Sequence, residues 1–206
     1  MRIAIVGGTG PFGRGLATRL ADTEHEIVLG SRDADRAAAA ALDLDCVGLT
    51  NSEACSTSDF VVFAVNAEAA LDTARELRAA IGSTPVLSVA AQLRFTTSGV
   101  LPASDARSLA EQLQDEVDGP VLAGLHSLAA ASLAGEEPPD EDAFLCGDDA
   151  AAKEIALGLA AHLVSGRALD AGPLASARAL EGMTAVIVNL NRRYKAHAGL
   201  RATGID

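Results

Sequence analysis

The chain opens as a strand, runs into glycines and comes out as a helix. Arg2–Val6 is a near-continuous apolar run, the pattern of a strand covered on both faces. Gly7-Gly8-Thr9-Gly10 follows, and Pro11 suits a first helical turn, after which Phe12, Leu16 and Leu20 recur every four residues. A buried strand joined by a tight turn to an amphipathic helix predicts a parallel sheet with crossover helices.

The rest of the sequence keeps that alternation. Strands are predicted at Glu26–Leu29, near Cys46–Gly48, and at Phe60–Val65, Pro85–Val89, Val121–Gly124, Phe144–Cys146 and Arg167–Ala171. Helices are predicted from about Ala34 to Leu42, at Ala67–Ile81, at Ser104–Val117 behind a Ser or Asp cap, at Ala150–Val164, and from Pro173 to about His197. The last helix carries Leu174, Leu180, Ile187 and Leu190. The expected fold is α/β, a Rossmann-like doubly wound, mostly parallel sheet with a small C-terminal helical lobe. Residues 1–124 would form the nucleotide-binding domain and 125–206 a smaller lobe, or one continuous unit with it.

Composition narrows the partners. Hydrophobic residues make up 49% of the chain and aromatics 3%, so Ala, Val and Leu supply the core and disorder is excluded. No apolar run approaches the roughly 18 residues of a membrane span. The N-terminal run stops at glycines, unlike a signal peptide, and a cytoplasmic location is expected. The net charge of −12 argues against nucleic acid and anionic membranes as partners. Residues 1–152 hold 9 basic and 24 acidic side chains, whereas 153–206 hold 7 basic and 4 acidic. That basic excess reads either as charge matched to a helix end or as a seat for an anion. Cys46, Cys55 and Cys146 show no metal-binding or disulfide spacing, and no metal is expected.

Gly8-Thr9-Gly10-Pro11-Phe12-Gly13 fits G-x-G-x-x-G between a strand and a helix. That context makes it a dinucleotide signal: glycines permit a tight turn and close approach, and the helix N-terminus meets the pyrophosphate. The second strand ends at Gly30-Ser31-Arg32, with Arg36 a turn later. NAD-type sites usually place a carboxylate there. A Ser hydroxyl and guanidinium groups suit a 2′-phosphate instead, so NADP(H) is the expected cofactor. Asp33 and Asp35 are expected to face solvent.

Acid–base machinery is sparse. There is no Tyr-x-x-x-Lys, G-x-S-x-G or H-E-x-x-H pattern, and Tyr194 is the one tyrosine. No catalytic side chain is expected beyond His126, which follows a predicted strand and is a candidate to contact a ring. Hydride transfer between two organic cofactors needs positioning and little else.

Several stretches together resemble the NADPH-dependent coenzyme F-420 reductases, also called F-420H2:NADP oxidoreductases. They are the N-terminal M-R-I-A-I-V-G-G-T-G-P-F-G-R-G-L-A, His25–Arg32, Ser58–Val62, Cys146–Asp149, Leu169–Leu174 and the ending Asn191–Arg201. The resemblance implies hydride transfer between carbon 4 of the nicotinamide and carbon 5 of a deazaflavin, coenzyme F-420, stacked on it. By motif match, Thr9, Gly10, Pro11 and Phe12 would hold the pyrophosphate, and Ser31, Arg32 and Arg36 the 2′-phosphate. Val65, Asn66, Ala67 and Ala90 would line the nicotinamide side with His126. The family commonly has a proline and an aromatic where this chain has Asn66-Ala67, and Ala90-Ala91-Gln92-Leu93 is poorer in proline. The polyanionic tail of coenzyme F-420 needs cations, and Arg178, Arg192, Arg193, Lys195 and Arg201 are the candidates. Two other functions fit the same motifs: NADPH-dependent reduction of a flavin, quinone or imine, and non-catalytic NADP(H) binding. The last helix is apolar along one stripe and carries small residues (Ala175, Ala177, Ala179, Gly182), so it either caps its own domain or packs against a partner copy, and a homodimer is expected.

Overall fold

The computed structural model describes residues 1–205. Its strands are β1 (Arg2–Val6), β2 (Glu26–Ser31), β3 (Val47–Thr50), β4 (Phe60–Phe63), β5 (Val86–Ser88), β6 (Leu93–Thr96), β7 (Gly99–Pro102), β8 (Val121–Gly124), β9 (Ala143–Gly147) and β10 (Ala168–Asp170). Its helices are α1 (Pro11–Leu20), α2 (Ala34–Leu42), α3 (Asn51–Ser56), α4 (Ala67–Ile81), α5 (Leu109–Glu116), α6 (Ala130–Leu133), α7 (Ala150–Ala161) and α8 (Ala177–Tyr194).

Eight strands form one sheet in the order β10-β9-β8-β5-β4-β1-β2-β3. Pairing is parallel throughout except between β8 and β9. The mostly parallel doubly wound sheet is the predicted one. From β1 the chain builds outward through β2 to β3, then crosses back to β4 on the other side of β1. That reversal between β1 and β4 opens a crevice at the strand C-termini, where open α/β sheets bind ligands.

Strand alternation makes two cores. Ile3 and Ile5 face one side with Leu16, Leu20, Leu29, Phe60 and Leu122. Ala4 and Val6 face the other with Val28, Val61, Phe63, Leu77 and Leu113. Successive residues of a strand point to opposite faces, so a strand covered twice must be apolar throughout. Each large side chain removed from water contributes about 1.5–3 kcal/mol.

Four departures from the predicted elements matter. Strand β9 returns to the sheet antiparallel, and β10 pairs parallel to it. The segment 93–102 is a two-stranded hairpin, β6–β7, standing off the main sheet. Asn189 of α8 pins it, accepting from the Val100 N–H at 2.9 Å and donating to the Val100 carbonyl at 2.7 Å. The helix expected from Ser104 starts only at Leu109, because Ser108 and Glu111 form a reciprocal capping box. The last helix begins at Ala177, after a 3-10 turn at Leu174–Ser176, and stops at Lys195 in the left-handed conformation.

Among the described residues no helix is long and apolar enough to cross a membrane.

Candidate functional site

The glycine loop is shaped by close approach. Gly7 takes φ +77°, and a Cβ there would stand 2.7 Å from the Ala64 carbonyl oxygen. The left-handed turn thus belongs to Gly7, one residue before the glycine that the motif assigns to it. Gly8 is packed instead: its Cβ would lie 2.7 Å from the Ile5 carbonyl oxygen, and a Cβ on Gly13 would lie 2.7 Å from the Gly8 Cα. Helix α1 therefore sits tightly on the loop. Its N-cap is Gly10, no side chain caps it, and no acid occupies its first turn. The helix end keeps free N–H groups and a positive dipole for an anion.

A cleft of about 340 Å³ lies over this loop, lined by Gly7, Thr9, Gly10, Ser31, Arg32, Arg36, Val65 and Asn66, with Asp33, Asn51 and Thr73 among the rest. Arg32 and Arg36 are exposed, and neither forms an ion pair among the described residues. Asp33 reaches this cleft, but its Oδ1 accepts from the Arg36 N–H at 3.1 Å as the cap of α2. Asp35 does not line it. Pro11 is exposed, and half-buried Phe12 packs on the core.

A second cleft of about 540 Å³ meets the first at Asn66. Its walls include Ala67, Ala91, Gln92, Arg94, Phe95 and Asp105, so the hairpin overhangs it. Asn66 is the N-cap of α4, yet its side chain makes no cap hydrogen bond, which leaves the amide free between the clefts. Gln92 also borders a third cleft of about 470 Å³ with Arg107, Arg178, Glu181 and Gly182. The Gln92 Oε1 is buried with no partner. On its floor the Glu181 carboxylate accepts from the Leu109 and Ala110 N–H groups, each at 3.0 Å. Burial pushes the Glu181 carboxyl up, and those two N–H groups pull it back.

His126 lies in none of these clefts. It is 6% exposed; its Nε2 donates to the Ala90 carbonyl at 3.2 Å, since a carbonyl can only accept. Its own carbonyl accepts from Thr184 Oγ1 at 2.8 Å. Burial pushes the imidazole down to about 4, so it is neutral at physiological pH. Leu125 before it holds φ +64°, a costly turn for a side chain with a Cβ. His126 and Ala90 thus form a buried joint between the ends of β5 and β8 and the middle of α8.

The five C-terminal cations do not gather. Arg178 is in the third cleft, donating to the Ala106 carbonyl at 3.3 Å. Arg192 and Arg193 border a fourth, of about 640 Å³, with Thr96, Thr97 and Ser98 of the hairpin turn. The Arg192 guanidinium stands 5.6 Å from the centre of the Phe95 ring. Lys195 is exposed at the end of α8. Arg201 is spent on an ion pair with Asp140.

The sequence motifs did not point to Gly7, Asn51, Gln92 or Arg94. Gly7 had a signal, being a glycine directly after a buried strand. Asn51, Gln92 and Arg94 had none, because their importance depends on elements meeting far along the chain.

A tight glycine loop at the reversal of a parallel sheet, with guanidinium groups at the end of β2 that form no ion pair among the described residues, is the arrangement of a dinucleotide-binding domain. Residues 2–92 match the family described as NADP oxidoreductase, coenzyme F420-dependent. The chain is 32% identical to the F420-dependent NADP reductase of Methanocaldococcus jannaschii, with both chains covered in full. It is 31% identical to the F420-dependent NADP reductase of Methanothermobacter thermautotrophicus, covering 100% of this chain and 96% of the relative. A solved structure of a candidate F420-dependent NADP-reductase from Arthrobacter sp. FB24 superposes with a TM-score of 0.83 at 25% identity, over 98% of this chain and 99% of that one. The chain belongs to the family of coenzyme F420-dependent NADP oxidoreductases.

Proposed function

We propose that this chain transfers a hydride directly between NADP(H) and the 5-deazaflavin coenzyme F-420. The observation that carries the reading is that two clefts, one shaped for a dinucleotide and one beneath the hairpin, share Asn66. The residues fit both groups. Gly7, Gly8 and Gly13 have no room for side chains against Ala64, Ile5 and one another, so the loop closes tightly and starts α1 where a pyrophosphate would sit, and Ser31, Arg32 and Arg36 face the place of a 2′-phosphate. Buried, unpartnered Gln92 Oε1 offers an acceptor to a ring N–H on the other side.

When bound, the nicotinamide and the deazaflavin supply the donor and acceptor carbons of the reaction. The chain supplies position. Thr9, Gly10 and the start of α1, with Pro11 and Phe12, hold the pyrophosphate. Val65, Asn66 and Ala67 bound the nicotinamide, and Ala90 with His126 fixes the wall behind it. The hydride asks no acid or base of the chain, and the one proton that accompanies NADPH oxidation would come from solvent, which agrees with a neutral His126 set away from the clefts. Residues 1–124 serve as the NADP(H) part and 125–206 complete the acceptor side. Arg178, Arg192 and Arg193 serve the polyanionic tail, with Lys195 and Arg201 at the margin. The protein works as a cytoplasmic homodimer joined through α8, and its free thiols suit a reducing compartment. A monomeric mass by light scattering at micromolar concentration would refute the dimer.

Anaerobic stopped-flow with NADPH and oxidised coenzyme F-420 tests the reaction, with flavin mononucleotide as the parallel acceptor. Rapid bleaching of the deazaflavin with flavin inert is expected. Flavin reduction without deazaflavin bleaching overturns the reading. Neutralising Arg192 and Arg193 together is expected to raise the KM for the deazaflavin and leave that for NADPH unchanged.

A further inference from the structure

We propose that Asn51 is a specificity-determining residue for the 2′-phosphate of NADP(H), donating to it through its side-chain N–H. The proposal rests on the NADP(H) reading above. Asn51 opens α3 directly after Thr50, and Thr50 is the register partner of Ser31 across β2 and β3. That places it beside the strand end that carries Ser31 and Arg32. It is 7% exposed, yet it lines the same cleft as Ser31, Arg32 and Arg36.

The amide has a defined orientation. Its Oδ1 is buried without a partner and sits 2.8 Å from where a Cβ on Gly30 would stand. The nitrogen end is left for the cleft. Thr50 Oγ1 is committed to Glu53 at 2.6 Å, whereas Ser31 Oγ accepts from the Asp33 N–H at 3.2 Å and keeps its own O–H as a second donor beside Asn51. A phosphate dianion only accepts hydrogen bonds, so a buried, packed N–H donor suits it. Arg32 and Arg36 are exposed and supply charge; Asn51 supplies a fixed direction. Gly30 takes part, because any side chain there would displace the amide.

Calorimetric titration with 2′,5′-ADP and with 5′-ADP, which lacks the 2′-phosphate, tests this. Wild type is expected to favour 2′,5′-ADP. Asn51→Ala should weaken 2′,5′-ADP about tenfold and Asn51→Asp about a hundredfold, while 5′-ADP stays within about twofold. Asn51→Ser, which keeps a donor, should recover part of the loss, and Gly30→Ala should mimic Asn51→Ala. Unchanged 5′-ADP binding also reports that each variant is folded. Equal loss of both ligands would make Asn51 a packing residue, and no loss of either would remove it from the site; each overturns the proposal. If wild type itself shows no preference, the NADP(H) reading fails first and this proposal falls with it.

Discussion

Glu141 gives the protein a stability that falls as pH rises, against the usual behaviour of carboxylates. It is 3% exposed and its Oε2 has no hydrogen-bond partner. Burial pushes its carboxyl from 4.5 up to about 7, and the Leu200 backbone N–H pulls only partway back. The groups around it are already paired: Asp140 with Arg201, and Asp142 with Arg167. The unfolded chain releases this proton near 4.5 while the folded chain holds it to about 7. Across that window the unfolded state binds fewer protons, so stability drops with rising pH, and the whole penalty is in place above it. At roughly 1.4 kcal/mol per pH unit the ceiling is about 3 kcal/mol. Glu141→Gln keeps the shape and removes the charge. Urea unfolding from about pH 5 to about pH 8 should show the variant only slightly more stable at the acid end, with the gap widening towards ~3 kcal/mol at the alkaline end. A gap that stays constant with pH would refute the reasoning. Asp142 has the opposite sign, since the Arg167 guanidinium holds its carboxyl down from 3.8 to about 2. Its contribution is present above 3.8 and is lost as pH falls towards 2.

Three further outcomes are expected. Gly7→Ala puts a Cβ against the Ala64 carbonyl at φ +77°, so it should cost about 1–3 kcal/mol in thermal unfolding and abolish NADPH binding. Arg32→Ala with Arg36→Ala should weaken NADPH about 10- to 100-fold by titration, at about 1.5–3 kcal/mol for charge-assisted contacts, and leave NADH unchanged. With His126 pushed down to about 4, kcat/KM should show no histidine step through neutral pH. A step near the ordinary histidine value that disappears in His126→Asn would contradict that placement.

The sheet was legible in the sequence because every central strand is apolar on both faces, from Ile3–Val6 to Phe60–Phe63. The glycine loop was legible for the same local reason: turn, approach and helix start lie within seven residues of one another. Helix α3 was not, because six residues are too few to show a helical period. The hairpin was hidden too, since its partner is Asn189 of α8, 89 residues from Val100. The cationic candidates illustrate the limit well. Arg192 and Arg201 look alike in the sequence, but Arg201 meets Asp140 61 residues away, while Arg192 lies over Phe95 beside a cleft. Charge counts register the excess and say nothing about which cations are already paired.

The two outer strands of the sheet have a consequence for how this molecule meets others. Strand β10 is three residues long, and its Asp170 is tied to Lys153 at 2.9 Å. Strand β3 at the opposite margin has four residues, and α2 packs so closely on it that a Cβ at Gly48 would stand 2.4 Å from the Ala37 carbonyl oxygen. Unpaired backbone at a sheet margin is the usual template for runaway strand addition, and short, charged or covered margins suppress it. Neither margin here offers a passing chain a ladder long enough to hold. Any second copy would have to dock through side chains and not by extending the sheet.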